Sequence, residues 1–256
     1  MSSAEDVQSP SIWCQLLETR ALPELGAYAW LYPLLRLAPR GDGHPVLVLP
    51  GFLSSGAATF PIRHFLKFLG YKGHRWKLGV NLGPIGGKEH DILRRLHELR
   101  DRYDQKVTLI GWSLGGVYAR ELAWMVPDDV RQVITMGSPF RHHNATSVTW
   151  LYEDVTGQAE MQMDDEMRER MDQPPPVPST AIYSRSDGVV NWRCSVEHAS
   201  ESSENIRIES SHCGLGHHPL ALWAVADRLA QKEGEWRPFD RTGFRRLFYG
   251  EADHPE

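Results

Sequence analysis

Cysteine is scarce in this chain. Its 256 residues hold only Cys14, Cys194 and Cys213, an odd and widely spaced set that builds neither a disulfide framework nor a four-ligand zinc site and suits a reducing compartment. An excess of positive charge is also missing: 28 Lys and Arg stand against 33 Asp and Glu, a formal net charge of −5, which argues against nucleic acid as a partner. No apolar run is long enough to span a bilayer. The most apolar stretch, Leu25 to Ala38, is broken only by Gly26, Pro33 and Arg36. As a helix it would reach about 21 Å, short of the roughly 30 Å of membrane hydrocarbon. It is expected to pack on the core, with a weak membrane-surface contact as the sharper alternative. Met1 to Pro10 is polar and acidic rather than basic and then apolar, so no secretory signal is expected and a cytoplasmic location is. No internal repeat is visible.

What the chain does have is a globular composition, 41% hydrophobic and 24% charged, and from Pro45 onward an alternation of short apolar runs with helical stretches. That alternation predicts an α/β domain with a largely parallel sheet. Strands are expected at Val46–Leu49, His74–Lys77, Val107–Ile110, Val133–Met136, Ala181–Ser184 and Ile206–Ile208. Helices are expected at Pro61–Leu69, His90–Tyr103, Leu114–Val126 and Leu220–Lys232. In His90–Tyr103, Ile92, Leu93, Leu96 and Leu99 recur at helical spacing, with Arg94, Arg95, Glu98 and Asp101 on the other face. The chain thus divides into a helical N-terminal extension (1–44), a core (45–139 and 179–233), an insertion (140–178) and a C-terminal tail (234–256). The insertion carries Trp150-Leu151-Tyr152, a Met-rich helix from Glu160 to Met171 and a Pro-rich exit. Long insertions of this kind are usually functional or disordered, and this one is expected to form a cap over the site. In the tail, aromatic residues interleaved with Arg237, Arg241, Arg245 and Arg246 predict packing on the domain by snorkelling side chains, with a membrane or partner contact as the rival.

The strongest chemical signal is Gly111-Trp112-Ser113-Leu114-Gly115, directly after one expected strand and directly before a helix. A serine attacks a carbonyl well only when it is exposed on a turn whose neighbours are small enough to let strand and helix approach. Ser113 is therefore the candidate nucleophile, against the plainer role of a helix N-cap. A serine hydroxyl needs a base, and the base needs a carboxylate to fix its tautomer. Asp187 stands just past an expected strand and before Gly188, and is the candidate acid, an Asx-turn residue being the alternative. His212 follows the last expected strand and opens a glycine-containing loop, making it the candidate base. His217 and His218 precede Pro219 at a helix start and suit lining or capping. The cluster His212, Cys213, His217 and His218 is a poor metal site because adjacent residues rarely ligate one ion well. For the oxyanion, the donors expected are the amide of Leu114 and one from the loop Pro50-Gly51-Phe52-Leu53, with Phe52 taken ahead of Leu53. Substrate-lining candidates are Leu53, Trp112, Trp150, Leu151, Met167 and Val189. Trp150 to Tyr152 and Met161, Met163, Met167 and Met171 supply an adaptable apolar set expected to overhang Ser113.

Pro50-Gly51-Phe52, Gly111 to Gly115, Ser186-Asp187-Gly188-Val189-Val190 and Ser211-His212-Cys213-Gly214-Leu215 together resemble the α/β-hydrolase superfamily, in particular its lipase and esterase branch. The resemblance runs from about Pro45 to Gln231. It implies a mainly parallel sheet flanked by helices with a helical cap insertion, no cofactor and no metal. It also implies hydrolysis of carboxylic esters with a lipophilic acyl group through an acyl-enzyme. An acyltransferase or thioesterase on the same triad is the alternative, and a non-catalytic binding protein a lesser one. The chain departs from the family in two places: Pro-Gly-Phe stands where many relatives have His-Gly, and the leading antiparallel strands are expected to be missing.

Overall fold

The computed structural model describes residues 7–83, 88–142, 145–158 and 163–255. Six strands form one sheet: β1 (Pro45–Leu49), β2 (Lys72–Arg75), β3 (Val107–Trp112), β4 (Val130–Met136), β5 (Ser179–Tyr183) and β6 (Ser203–Arg207). They lie in the order β2-β1-β3-β4-β5-β6, and each neighbouring pair is parallel. Parallel strands need helical crossovers, which cover both faces of the sheet, so the central strands read as continuous apolar runs. Along β1 the period of two is plain. Val46 and Val48 join the core on one face of the sheet, Leu47 and Leu49 the core on the other.

Helices α3 (Phe60–Phe68) and α8 (Pro219–Leu229) close the first face, burying Ile62, Phe65, Leu66, Leu222 and Val225 with Ile110, Ile134 and Ile182. The second face is closed by α4 (Glu89–Tyr103) and α5 (Leu114–Met125), which bury Ile92, Leu96, Leu99, Val117 and Leu122 with Leu109 and Val133. Two short helices, α6 (Thr149–Thr156) and α7 (Asp165–Asp172), fall between β4 and β5. The Met-rich helix starts later than expected. Asp164 caps α7 by accepting the Met167 amide at 2.7 Å, which sets the N-terminus there. Glu160 and Met161 lie outside the described residues.

At the N-terminus, α1 (Ile12–Leu17) and α2 (Ala21–Leu35) precede the sheet. As expected, this apolar stretch packs on the core, with Leu35 and Ala38 buried in it and Tyr28 and Tyr32 against it, but only by one side. Within α2 only Leu35 is buried, while Tyr28 and Tyr32 lean on His64 of α3. Leu22 is 78% exposed and Trp30 83%. The helix is apolar all round, so one face must be left in solvent whichever face meets the domain. In the tail, Phe239 and Tyr249 are buried and the guanidinium groups of Arg241 and Arg245 lie over the Phe239 ring. No helix among the described residues is long and apolar enough to cross a membrane.

Candidate active site

Ser113, Asp187 and His212 each follow the carboxyl end of a strand, β3, β5 and β6 in turn, the side on which an open α/β sheet offers its crevice. Ser113 joins β3 directly to α5 with φ 53° and ψ −126°, a conformation that a non-glycine residue adopts only when its surroundings hold it there. Its amide donates to the Met136 carbonyl at the end of β4, 2.9 Å away. The turn is tight enough that a Cβ on Gly115 would overlap the Leu49 carbonyl oxygen of β1.

The next residue after Met136, Gly137, lies against the other two candidates: a Cβ there would fall 3.0 Å from Asp187 Oδ2 and 3.1 Å from His212 Nδ1. Those two atoms are 2.7 Å apart. Asp187 is held by its other oxygen, since Oδ1 accepts the amides of Val189 and Val190 at 2.8 Å each. An ionised carboxylate only accepts, so the imidazole donates from Nδ1 and leaves Nε2 free to take a proton. Both side chains are buried. Burial opposes charging of His212, but the charge and hydrogen bond of Asp187, followed by the charge of Glu18, outweigh it and raise the imidazole pKa above its ordinary value. Trp112 stands beside the pair and donates from Nε1 to the His212 carbonyl at 3.2 Å.

The loop after β1 is pressed onto the serine. A Cβ on Gly51 would come within 2.9 Å of Ser113 Cβ. Of the two amides that follow, that of Leu53 is already used, donating to the Asn81 carbonyl at 2.7 Å. The Phe52 amide donates to no protein acceptor among the described residues. Leu114 is the first residue of α5, where an amide has no intrahelical acceptor. Both amides are thus left without a main-chain acceptor among the described residues.

Among the substrate-lining candidates, Leu53 and Trp150 are exposed, Leu151 and Val189 are half-buried, and Trp112 is turned to His212. The methionine row is corrected. Met163, Met167 and Met171 are buried in the apolar core that includes Val117, Tyr118 and Leu122 of α5, so this side of the insertion packs on the domain instead of presenting an open apolar face. The link from the insertion to the site is instead Tyr152 of α6, whose ring lies 5.2 Å from that of Phe52. His218 caps α8, accepting the Leu220 amide. Among the described residues, no group of three or more His, Cys, Asp or Glu is placed to hold a metal ion.

No family model matches the chain, and no curated protein matches it in sequence. Solved structures do. Lipase B of Aspergillus fumigatus superposes with a TM-score of 0.60 at 17% identity over 77% of this chain, which spans 56% of that longer one. A mature lipase of Bacillus licheniformis, BlEst2, gives 0.57 at 16% identity, covering 75% of this chain and 94% of its own. An α/β superfamily hydrolase of Oenococcus oeni gives 0.50 at 15% identity over 73% and 91%. The chain has the α/β-hydrolase fold. One edge of the sheet is β2, and the pairings between its six strands are all parallel.

Three parts of this candidate site are not visible in the sequence. Asn81, fully buried, ties the loop after β1 by donating from its side chain to the Pro50 carbonyl at 2.9 Å while accepting the Tyr118 hydroxyl at 3.1 Å. Glu18 and Glu24, from the N-terminal segment, accept backbone amides of the loops carrying Asp187 and His212. No local pattern marks any of the three, because each works across a long stretch of chain.

Proposed function

We propose that the protein is a carboxylic ester hydrolase acting on lipophilic acyl esters through a Ser113-His212-Asp187 triad. The observation that carries this is the buried 2.7 Å bond from His212 Nδ1 to an Asp187 already fixed by two amides, next to a serine held at positive φ. Ser113 Oγ attacks the ester carbonyl while His212 Nε2 takes its proton, and the amides of Leu114 and Phe52 hold the oxyanion. The imidazolium then protonates the departing alcohol, and water activated by the same base releases the acyl group. The lipases of Aspergillus fumigatus and Bacillus licheniformis among the structural neighbours agree with this reading. A lipophilic acyl group is supported by exposed Leu53, Val80, Leu82 and Trp150, which border Phe52 through the Leu53 to Asn81 bond and the Phe52 to Tyr152 ring contact.

The test is labelling by a fluorophosphonate probe with mass mapping of the adduct. The label is expected on Ser113, and Ser113→Ala should abolish it and lower kcat on the order of 10⁶-fold with the fold intact. An adduct elsewhere, or retained turnover, would overturn the assignment. Each methylene buried contributes up to about 0.8 kcal/mol, so kcat/KM should rise from acetate to octanoate p-nitrophenyl esters. A flat series would remove the lipophilic preference. Adding an alcohol acceptor and following the product separates hydrolysis from acyl transfer.

The surface contact with a membrane belongs to the same reading. The exposed apolar residues Trp13, Leu16, Leu22, Trp30 and Leu34 share one segment whose only carboxylates, Glu18 and Glu24, are turned inward onto backbone amides. Arg36 and Arg40 end the segment, so the face left outside is apolar and basic and fits an anionic lipid surface. Co-sedimentation with phosphatidylglycerol vesicles, lost on Leu22→Ser with Trp30→Ser, is the expected result. No sedimentation, or self-association that buries the face instead, would refute it.

A further inference from the structure

The N-terminal segment is strapped across the two loops that carry the acid and the base. The Glu18 carboxylate does most of this. Its Oε1 accepts the amide of Gly188 at 2.9 Å and that of His212 itself at 2.7 Å, and its Oε2 accepts the amide of Cys213 at 3.1 Å. One side chain therefore bonds the residue after Asp187, the base, and the residue after the base. Six residues later Glu24 accepts the Ser211 amide at 3.0 Å and the Ser211 hydroxyl, and Arg20 donates to the Ser186 carbonyl at 3.2 Å.

The loops are shaped for this approach. A Cβ on Gly188 would overlap the Cys14 carbonyl oxygen, and one on Gly214 would overlap Glu24 Oε2. Asp187-Gly188 and Cys213-Gly214 thus leave room for the strap as well as making turns. The need for it follows from the topology. The paired register of β5 and β6 ends at Tyr183 and Arg207; past it the Ile208 amide still reaches the Tyr183 carbonyl and Ser184 Oγ bridges to Ser210, but no ladder bond reaches Asp187 or His212.

We infer that Glu18 is a positioning residue of the triad, binding the acid loop and the base loop into one unit and adding a second negative charge behind the imidazole. The inference rests on the hydrolase reading for its catalytic consequence, but the geometry is independent of it. The charged groups that face His212 are Asp187 from the loop after β5 and Glu18 from the strap. From the β3 side it meets Trp112, which is uncharged. Charge-assisted bonds to three amides are strong and directional, so removing the carboxylate should both loosen His212 and weaken the field that favours its charged form.

The experiment uses the full chain with isotope-labelled histidine, comparing wild type, Glu18→Gln, Glu18→Ala and Glu18→Asp. Two readouts are taken, the NMR titration of the His212 imidazole and the pH dependence of fluorophosphonate labelling at Ser113. Neutralising Glu18 should move the His212 titration to lower pH and slow labelling about tenfold or more at its plateau. Because the base must be neutral to act, the acidic limb of the labelling profile should move to lower pH as well. Glu18→Asp, which keeps the charge, should restore most of the titration shift. A His212 titration unchanged in both Glu18→Gln and Glu18→Ala would overturn the inference, including the case where Tm falls, since that would leave Glu18 a structural latch only. A wild type that takes no label would instead remove the hydrolase reading, and the His212 titration would still decide the role of Glu18.

Discussion

Exchanging Asp187 for asparagine tests the triad at the point where the structure constrains the outcome most. Asp187 Oδ1 accepts two amides, from Val189 and Val190, each at 2.8 Å. In the Asp187→Asn variant the carboxamide oxygen must take that position, because an NH2 group facing two N–H donors would leave all of them unpaired. The NH2 group is then turned to His212 Nδ1, which sits 2.7 Å from Oδ2 in the native protein. Nδ1 becomes an acceptor, the ring proton moves to Nε2, and the imidazole presents Ser113 with a donor in place of a base. The same exchange in the serine-protease triad lowers kcat about 10⁴-fold, equivalent to about 5.4 kcal/mol in the barrier. Stability should change far less, by about 1–2 kcal/mol, because both amide bonds survive. The assay is single-turnover fluorophosphonate labelling of Ser113 at neutral pH, with Tm from circular dichroism as the control for folding. A folded variant that keeps more than a few per cent of the native labelling rate would show that the Asp187 to His212 bond does not set the tautomer.

Met171→Ala should cost about 2–5 kcal/mol of stability in chemical denaturation, since the side chain is 1% exposed in the α5 core, while the folded fraction still labels at Ser113. Gly115→Ala drives a Cβ into the Leu49 carbonyl; main-chain atoms must give way, so the urea midpoint should fall by the equivalent of about 1–3 kcal/mol and labelling should slow. Burial raises the pKa of Asp42, but hydrogen bonds and charge from His44 and Arg131 outweigh it and hold the carboxyl down at about 2. A folded-state pKa below the unfolded one means that the stability it contributes is present above about pH 4 and is lost as pH falls toward 2, so the urea midpoint of Asp42→Asn should fall less steeply over that range than that of the wild type. An equal slope would show that Asp42 is not linked to folding.

Five of the six strands are legible because a parallel sheet covered on both faces leaves apolar runs in the sequence. The boundaries were less so where polar residues are buried with partners. Glu204 and Asn205 interrupt the apolar pattern of β6, yet both are buried, one paired with Arg228 and the other bonded to the Glu197 backbone. The edge strand β2, Lys-Gly-His-Arg, carries little apolar signal, and it starts two residues before the expected His74. Ser113, Asp187 and His212 are legible as candidates because a serine on a strand-to-helix turn and the loops after strands have local signatures. Glu18 and Asn81 have none. Their partners lie far off in the chain, and a glutamate in an apolar segment looks the same whether it faces water or the amide of His212.

The methionines show where a local reading goes astray. Met167 and Met171 recur at i, i+4, which puts them on one face of α7, and a short inserted helix has to bury one face before it can do anything else. That face meets α5, with Arg170 of α7 reaching Glu121 of α5 at 2.6 Å and Arg120 of α5 donating to the Met171 carbonyl at 3.0 Å. The helix is thereby anchored to the element that begins at Ser113, a scaffolding role that adaptable Met side chains fill as well as they fill a ligand pocket. The other inserted helix, α6, has no buried residue, and its Tyr152 meets Phe52. Under the proposed function, acyl recognition is expected at the aromatic and aliphatic rim around Phe52, beside the loop that follows β1.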